Sequence, residues 1–122
     1  MTFEVGQSAQ LVAMVGVDDT AVALGSGDVP VLATPRLIAW CETATVDAVA
    51  AALPSGKTTV GARVEFDHLG PSAVGAEVTV TARLMAVSGR TLDFSVEAIE
   101  KGKTVGRGTI RRVLVDRDQF LG

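Results

Sequence analysis

Residues 33–53 read ATPRLIAWCETATVDAVAAAL, and between Pro35 and Leu53 the only charged side chains are Arg36, Glu42 and Asp47. The stretch reads as one helix. Thr34 stands as its N-cap, Pro35 takes the first helical position, and Pro54, Ser55 and Gly56 close it. A helix on a protein surface normally carries charge over about half its circumference. This one is alanine or apolar on nearly every side, so something must cover it. Its small residues, among them Ala39, Ala44 and Ala48, would let a sheet or a second helix come close. At about 100° per residue, Glu42 shares a stripe with Ile38, Thr45, Val46 and Val49. An ionised carboxylate buried there without partners costs several kcal/mol, so it must find partners, take a raised pKa or line a wet pocket. The helix composition alone favours the plainer reading, a glutamate at a subunit rim met by an arginine.

The rest of the chain alternates. Ser8–Val17 reads as a first strand, and the Gly- and Pro-rich segment that follows, up to Leu32, as a surface loop. After the helix, Val60, Ala62, Val64 and Phe66 fall on one face, with Arg63 and Glu65 opposite. Val78, Val80, Ala82 and Leu84 alternate with Glu77, Thr79, Thr81 and Arg83, and Leu92, Phe94, Val96 and Ala98 alternate with Asp93, Ser95 and Glu97. TVGRGTIRRVLVD is a last strand, and Ser88-Gly89 and Lys101-Gly102 sit where tight hairpin turns belong. Period-two alternation of this kind predicts antiparallel strands with one buried face. The expected fold is α+β: a strand, a loop, the long helix, then four strands in a meander, curved around the helix that covers their apolar face. This layout resembles the hotdog fold.

The 122 residues, 48% hydrophobic and 20% charged, predict a single domain over residues 1–122 with a real core. A net charge of −3, no tyrosine and one tryptophan argue against a nucleic-acid partner. AQLVAMVGV is too short to span a membrane, and MTFEVGQ carries Glu4 where a signal peptide would carry a base, so the expected location is cytoplasmic with no membrane partner. Cys41 is the single cysteine and reads as inert packing, and one histidine with one cysteine makes a transition-metal site improbable. No glycine-rich loop opens a helix to cradle a nucleotide. The sheet covers only one side of the helix, which predicts a homodimer, alone or paired into a dimer of dimers.

His68 is the only histidine and stands in EFDHLGPSAVG, where a strand meets a Gly/Pro turn. Taken singly, His68, Thr34 and Arg112 each fit a structural role: an exposed or packed imidazole, a helix cap, a solvated strand arginine. Their joint spacing is informative. Thr34 precedes Glu42 by eight residues, His68 follows Glu42 by 26, and Gly75 comes seven later. This pattern resembles the fluoroacetyl-CoA thioesterase family of hotdog proteins, over roughly Val31 to Phe120. The resemblance implies acyl-CoA thioester hydrolysis with Thr34, Glu42 and His68 as the catalytic set and Gly61 and Arg112 as substrate or CoA contacts. It implies no cofactor, since CoA belongs to the substrate. GSGDVPVL holds no aromatic residue where the family's namesake has a longer lid with one, so the resemblance implies thioester hydrolysis without fluoroacetyl selectivity.

Glu42 could attack the thioester carbonyl or activate water, His68 could relay protons near neutral pH, and a backbone amide such as that of Gly61 could meet the oxyanion. Eight helical residues rise about 12 Å, so Thr34 and Glu42 of one chain should not bond directly; the substrate or a second subunit must bridge them. A non-catalytic acyl-CoA or small-ligand binding module on the same fold is the alternative. A hydratase, with Asp67-His68 adjacent rather than set on a loop and helix, ranks below both.

Overall fold

The computed structural model describes residues 3–122. Strand β1 spans Ser8–Met14, a four-residue helix α1 Ala21–Leu24, and the long helix α2 Thr34–Val49, with a 3-10 turn at Ala50–Ala52. Strands β2 Lys57–His68, β3 Glu77–Ser88, β4 Thr91–Glu100 and β5 Lys103–Asp116 follow, and a short helix α3, Arg117–Leu121, ends the described chain. All strand pairs are antiparallel, in the order β1-β3-β4-β5-β2. The fold is the expected α+β hotdog arrangement, one sheet with one main helix laid on it.

The alternation read from β3 and β4 holds. Val78, Val80, Ala82, Leu84, Leu92, Phe94, Val96 and Ala98 are all buried, against Leu37, Cys41, Ala44, Ala48 and Val49 of α2. Lys101 and Gly102 form the two-residue turn between β4 and β5, both with positive φ. The β3–β4 turn falls one residue later than expected, on Gly89 and Arg90, with Ser88 and Thr91 paired as its flanks.

Three expectations need correction. The first strand stops at Met14, and the surface loop folds in part: residues 17–19 form a 3-10 turn, and Thr20 caps α1 by accepting from the Ala23 N–H. The meander has three strands, not four: β2 pairs with β5 and lies at one edge of the sheet, while β1 closes the other beside β3. Alternation reports which face a residue takes, not which strand lies next to it, so the order was not readable from the pattern. The chain also ends in α3 rather than in a strand, capped by the Asp116 carboxylate accepting from the Gln119 N–H at 3.0 Å.

A fourth correction bears on the site. The register between β2 and β5 shifts between Gly61 and Arg63, so Ala62 is a bulge. Before the bulge Val60 pairs with Val113 and Gly61 with the inward Arg112; after it Arg63 pairs with Arg111 and Val64 with the buried Ile110. Val60 therefore faces out and Gly61 faces the helix, the reverse of the simple alternation. At the far end Gly106 leaves room for the Phe66 ring: a Cβ there would stand 2.5 Å from Phe66 Cζ and 3.0 Å from Leu37 Cδ2.

Candidate active site

α2 packs chiefly on β1 and β3 and leaves the inner face of β2 open. Val64 on β2 and Val46 on α2 are each 39% exposed across this opening. The buried side of α2 is Leu37, Cys41, Ala44, Thr45, Ala48 and Val49, and Ile38, Glu42 and Val46 run along its margin. The Glu42 side chain is 39% exposed, so in one chain it is not desolvated as its stripe suggested. Thr45, one residue of that stripe, is fully buried and donates to the Glu42 carbonyl at 2.6 Å.

The bulge aims Gly61 at the carboxylate. A Cβ built on Gly61 would lie 2.8 Å from Glu42 Oε2, so only glycine leaves the acid in its place. Arg112, paired with Gly61 and 6% exposed, brings its Nη1 to 3.6 Å from the same oxygen. Its Nε donates to Thr59 Oγ1 at 2.9 Å and its Nη2 to the Thr59 carbonyl at 3.0 Å. Burial draws the guanidinium below its ordinary value, with the Glu42 charge opposing, and a guanidinium so drawn remains charged at neutral pH. Cys41, behind Glu42, is fully buried, and burial followed by the Glu42 charge pushes its thiol up to about 12, which makes it packing and not a nucleophile.

Thr34 and His68 form a second group. The helix N-cap is Ala33, without a side-chain cap bond, so Thr34 is the first helical residue and not the cap. Its hydroxyl is thereby free, and Thr34 Oγ1 lies 2.7 Å from His68 Nδ1. The two share one hydrogen, given by the hydroxyl or by the ring according to the imidazole tautomer. His68 Nε2 is buried with no partner among the described residues. An open cleft of about 360 Å³ lies over the pair, lined also by Leu69, Gly70 and Pro71. Asp67 faces the opposite side of the sheet beside Arg107, so the adjacent Asp67-His68 is not a working dyad. A larger hollow, about 550 Å³, lies on that outer face between Arg83, Arg107, Asp67 and Glu97, with the mixed charge of a solvated surface.

Burial lowers the His68 pKa from its ordinary 6.5, the Gly70 backbone opposing more weakly. The folded state thus favours the neutral ring, and the stability this carries is present above pH 6.5 and lost as pH falls through the lower folded value. Urea midpoints of the parent should therefore drop more steeply below about pH 6.5 than those of His68→Gln. Parallel slopes would show that the imidazole titrates as it does unfolded.

The five residues thus fall into two groups, Glu42 with Gly61 and Arg112, and Thr34 with His68. Gly61 and His68 are seven residues apart on β2, which is roughly 20 Å along the strand. Residues 15–118 match the model of the fluoroacetyl-CoA-specific thioesterase family, FlK. The chain belongs to that family. A fluoroacetyl-CoA thioesterase of Streptantibioticus cattleyicolor is 33% identical over 90 residues, which are 74% of this chain and 65% of that protein. This family member therefore matches just under two thirds of that relative's length. The solved fluoroacetyl-CoA thioesterase FlK superposes with a TM-score of 0.93 at 28% identity, over 99% of this chain and 94% of that one. A hot-dog-like protein of Thermanaerovibrio acidaminovorans gives 0.90 at 29% identity, over 98% and 88%. Thr59 went unnoticed in the sequence; it becomes visible only when β2 and β5 pair, because its partner Arg112 is 53 residues away.

Proposed function

We propose that this protein hydrolyses small or medium acyl-CoA thioesters, with Glu42 as the reacting carboxylate and Thr34 and His68 as its assistants. The observation that supports this best is the Glu42 carboxylate, 39% exposed, held between a bare glycine and a buried arginine. At 3.6 Å the arginine faces the carboxylate without a hydrogen bond to it. Glu42 then attacks the thioester carbon, expelling CoA thiolate and leaving a mixed anhydride that water opens, or it takes a proton from water as that water attacks. The leaving thiolate needs little help, since a thiol loses its proton at about pH 8.5. The proton to be managed is the one on water, which suits a neutral imidazole.

Glu42 is pinned at Gly61 and the imidazole rests on Thr34, about 12 Å of helix away, too far for both to meet one carbonyl within a chain. Antiparallel pairing of two β2 edges about a two-fold axis near Val64–Glu65 would set Gly61 opposite His68 of the partner subunit. Such a homodimer also covers Val46 and Val64 and draws the Glu42 stripe out of water. Arg112 is too enclosed, and too occupied by Thr59, to hold hydrated CoA phosphates, so its contact is with the acyl end. The structure of FlK with fluoroacetate and CoA is in keeping with a CoA ester as ligand here.

The test is thiol release from a series of acyl-CoAs running from acetyl and fluoroacetyl to medium chains. Turnover of at least one member is expected. Saturable binding of the esters with no release would overturn hydrolysis and leave a ligand-binding module on this fold.

A further inference from the structure

Arg112 sits beside Glu42, yet Glu42 does not set its position. A guanidinium left free beside a carboxylate grips it with two parallel N–H bonds. Here the Thr59 hydroxyl takes Nε and the Thr59 carbonyl takes Nη2, and only Nη1 is turned toward the acid, at 3.6 Å. Thr59 is buried on the inner face of β2, two residues before Gly61 and paired with Leu114, so the bulge that aims Gly61 also fixes this clamp.

We propose that Thr59 is a positioning residue that holds Arg112 off Glu42, keeping the carboxylate's lone pairs free for the thioester. The proposal rests on the reading of Glu42 as the reacting group. Gripped by a fork, the same carboxylate would have its oxygens engaged and its basicity reduced. The groups that face Glu42 are few. β5 presents Arg112, β2 presents Thr59 and Gly61, which do not titrate, and Cys41 beside it on α2 keeps its proton to about 12. The dimer proposed above would add His68 of the partner subunit.

The test uses the full chain with Thr59→Val and Thr59→Ser. Valine keeps the shape and the main-chain carbonyl but removes the acceptor of Nε, which then turns to the nearest remaining one, the Glu42 carboxylate. In protein carrying ¹³C-labelled glutamate, with the Glu42 signal assigned by Glu42→Gln, the carboxyl titration midpoint in Thr59→Val should fall by about one pH unit from the parent. Thr59→Ser should titrate with the parent. On the best acyl-CoA, kcat of the valine variant should fall about tenfold, its acidic limb moving with the midpoint and KM holding within about twofold. Should the valine variant not fold, Thr59→Ala removes the same acceptor and carries the same expectation. A Glu42 midpoint equal to the parent's in the variant overturns the proposal. A parent that hydrolyses no acyl-CoA overturns the catalytic reading of Glu42 instead, and the titration, which needs no turnover, still decides about Thr59.

Discussion

Glu42→Gln should lower kcat on the best acyl-CoA by about 10³-fold and leave KM nearly unchanged. The amide keeps the size of the side chain and can still fit beside Gly61 and Arg112, but it neither attacks a thioester nor takes a proton from water. The fold should be untouched, because this side chain is 39% exposed and contributes no packed core. The loss would therefore appear in thiol release while the urea midpoint stays within experimental scatter. A variant that turned over within tenfold of the parent would remove Glu42 from the chemistry, and with it the proposed reaction.

A second large effect should come from mixing two dead variants. If each site takes Glu42 from one protomer and His68 from the other, Glu42→Gln and His68→Ala complement. A mixed dimer then carries both defects at one site and none at the other. Equal co-expression makes half of the dimers mixed, so activity should return to about a quarter of the parent value, from near zero in either variant alone. A mixture as inactive as its components would show that each chain supplies a whole site. The eight helical residues, about 12 Å, between Glu42 and the Thr34 that holds His68 set that outcome against the carboxylate position described above.

Much of this was readable before any coordinates. The covered helix announced itself by its missing charges, and β3 and β4 by strict alternation, because burial imposes periods of about 3.6 and 2 on the residues that lie against a core. Thr34 and His68 were legible through spacing, and they do meet. Their relation was not legible. Thr34 before proline reads as a cap, and only the backbone conformation of Ala33 shows that the cap lies one residue earlier and the hydroxyl is free for the imidazole. Gly61 was named for closeness to substrate, but its direction depends on one extra residue at Ala62, a bulge that the pairing of β2 with β5 creates.

By itself, then, the amino-acid order determined the long helix, the alternating strands and the apolar faces that meet in the core. These are local properties, set by propensity and by which side chains leave water. The tertiary structure alone decided that β2 lies at the edge beside β5, that Arg112 rests on Thr59 rather than on Glu42, and that the carboxylate lies at Gly61 while the imidazole lies at Thr34. Such facts depend on partners 19 to 70 residues apart, whose meeting follows from strand order and register, and neither leaves a periodic trace along the chain.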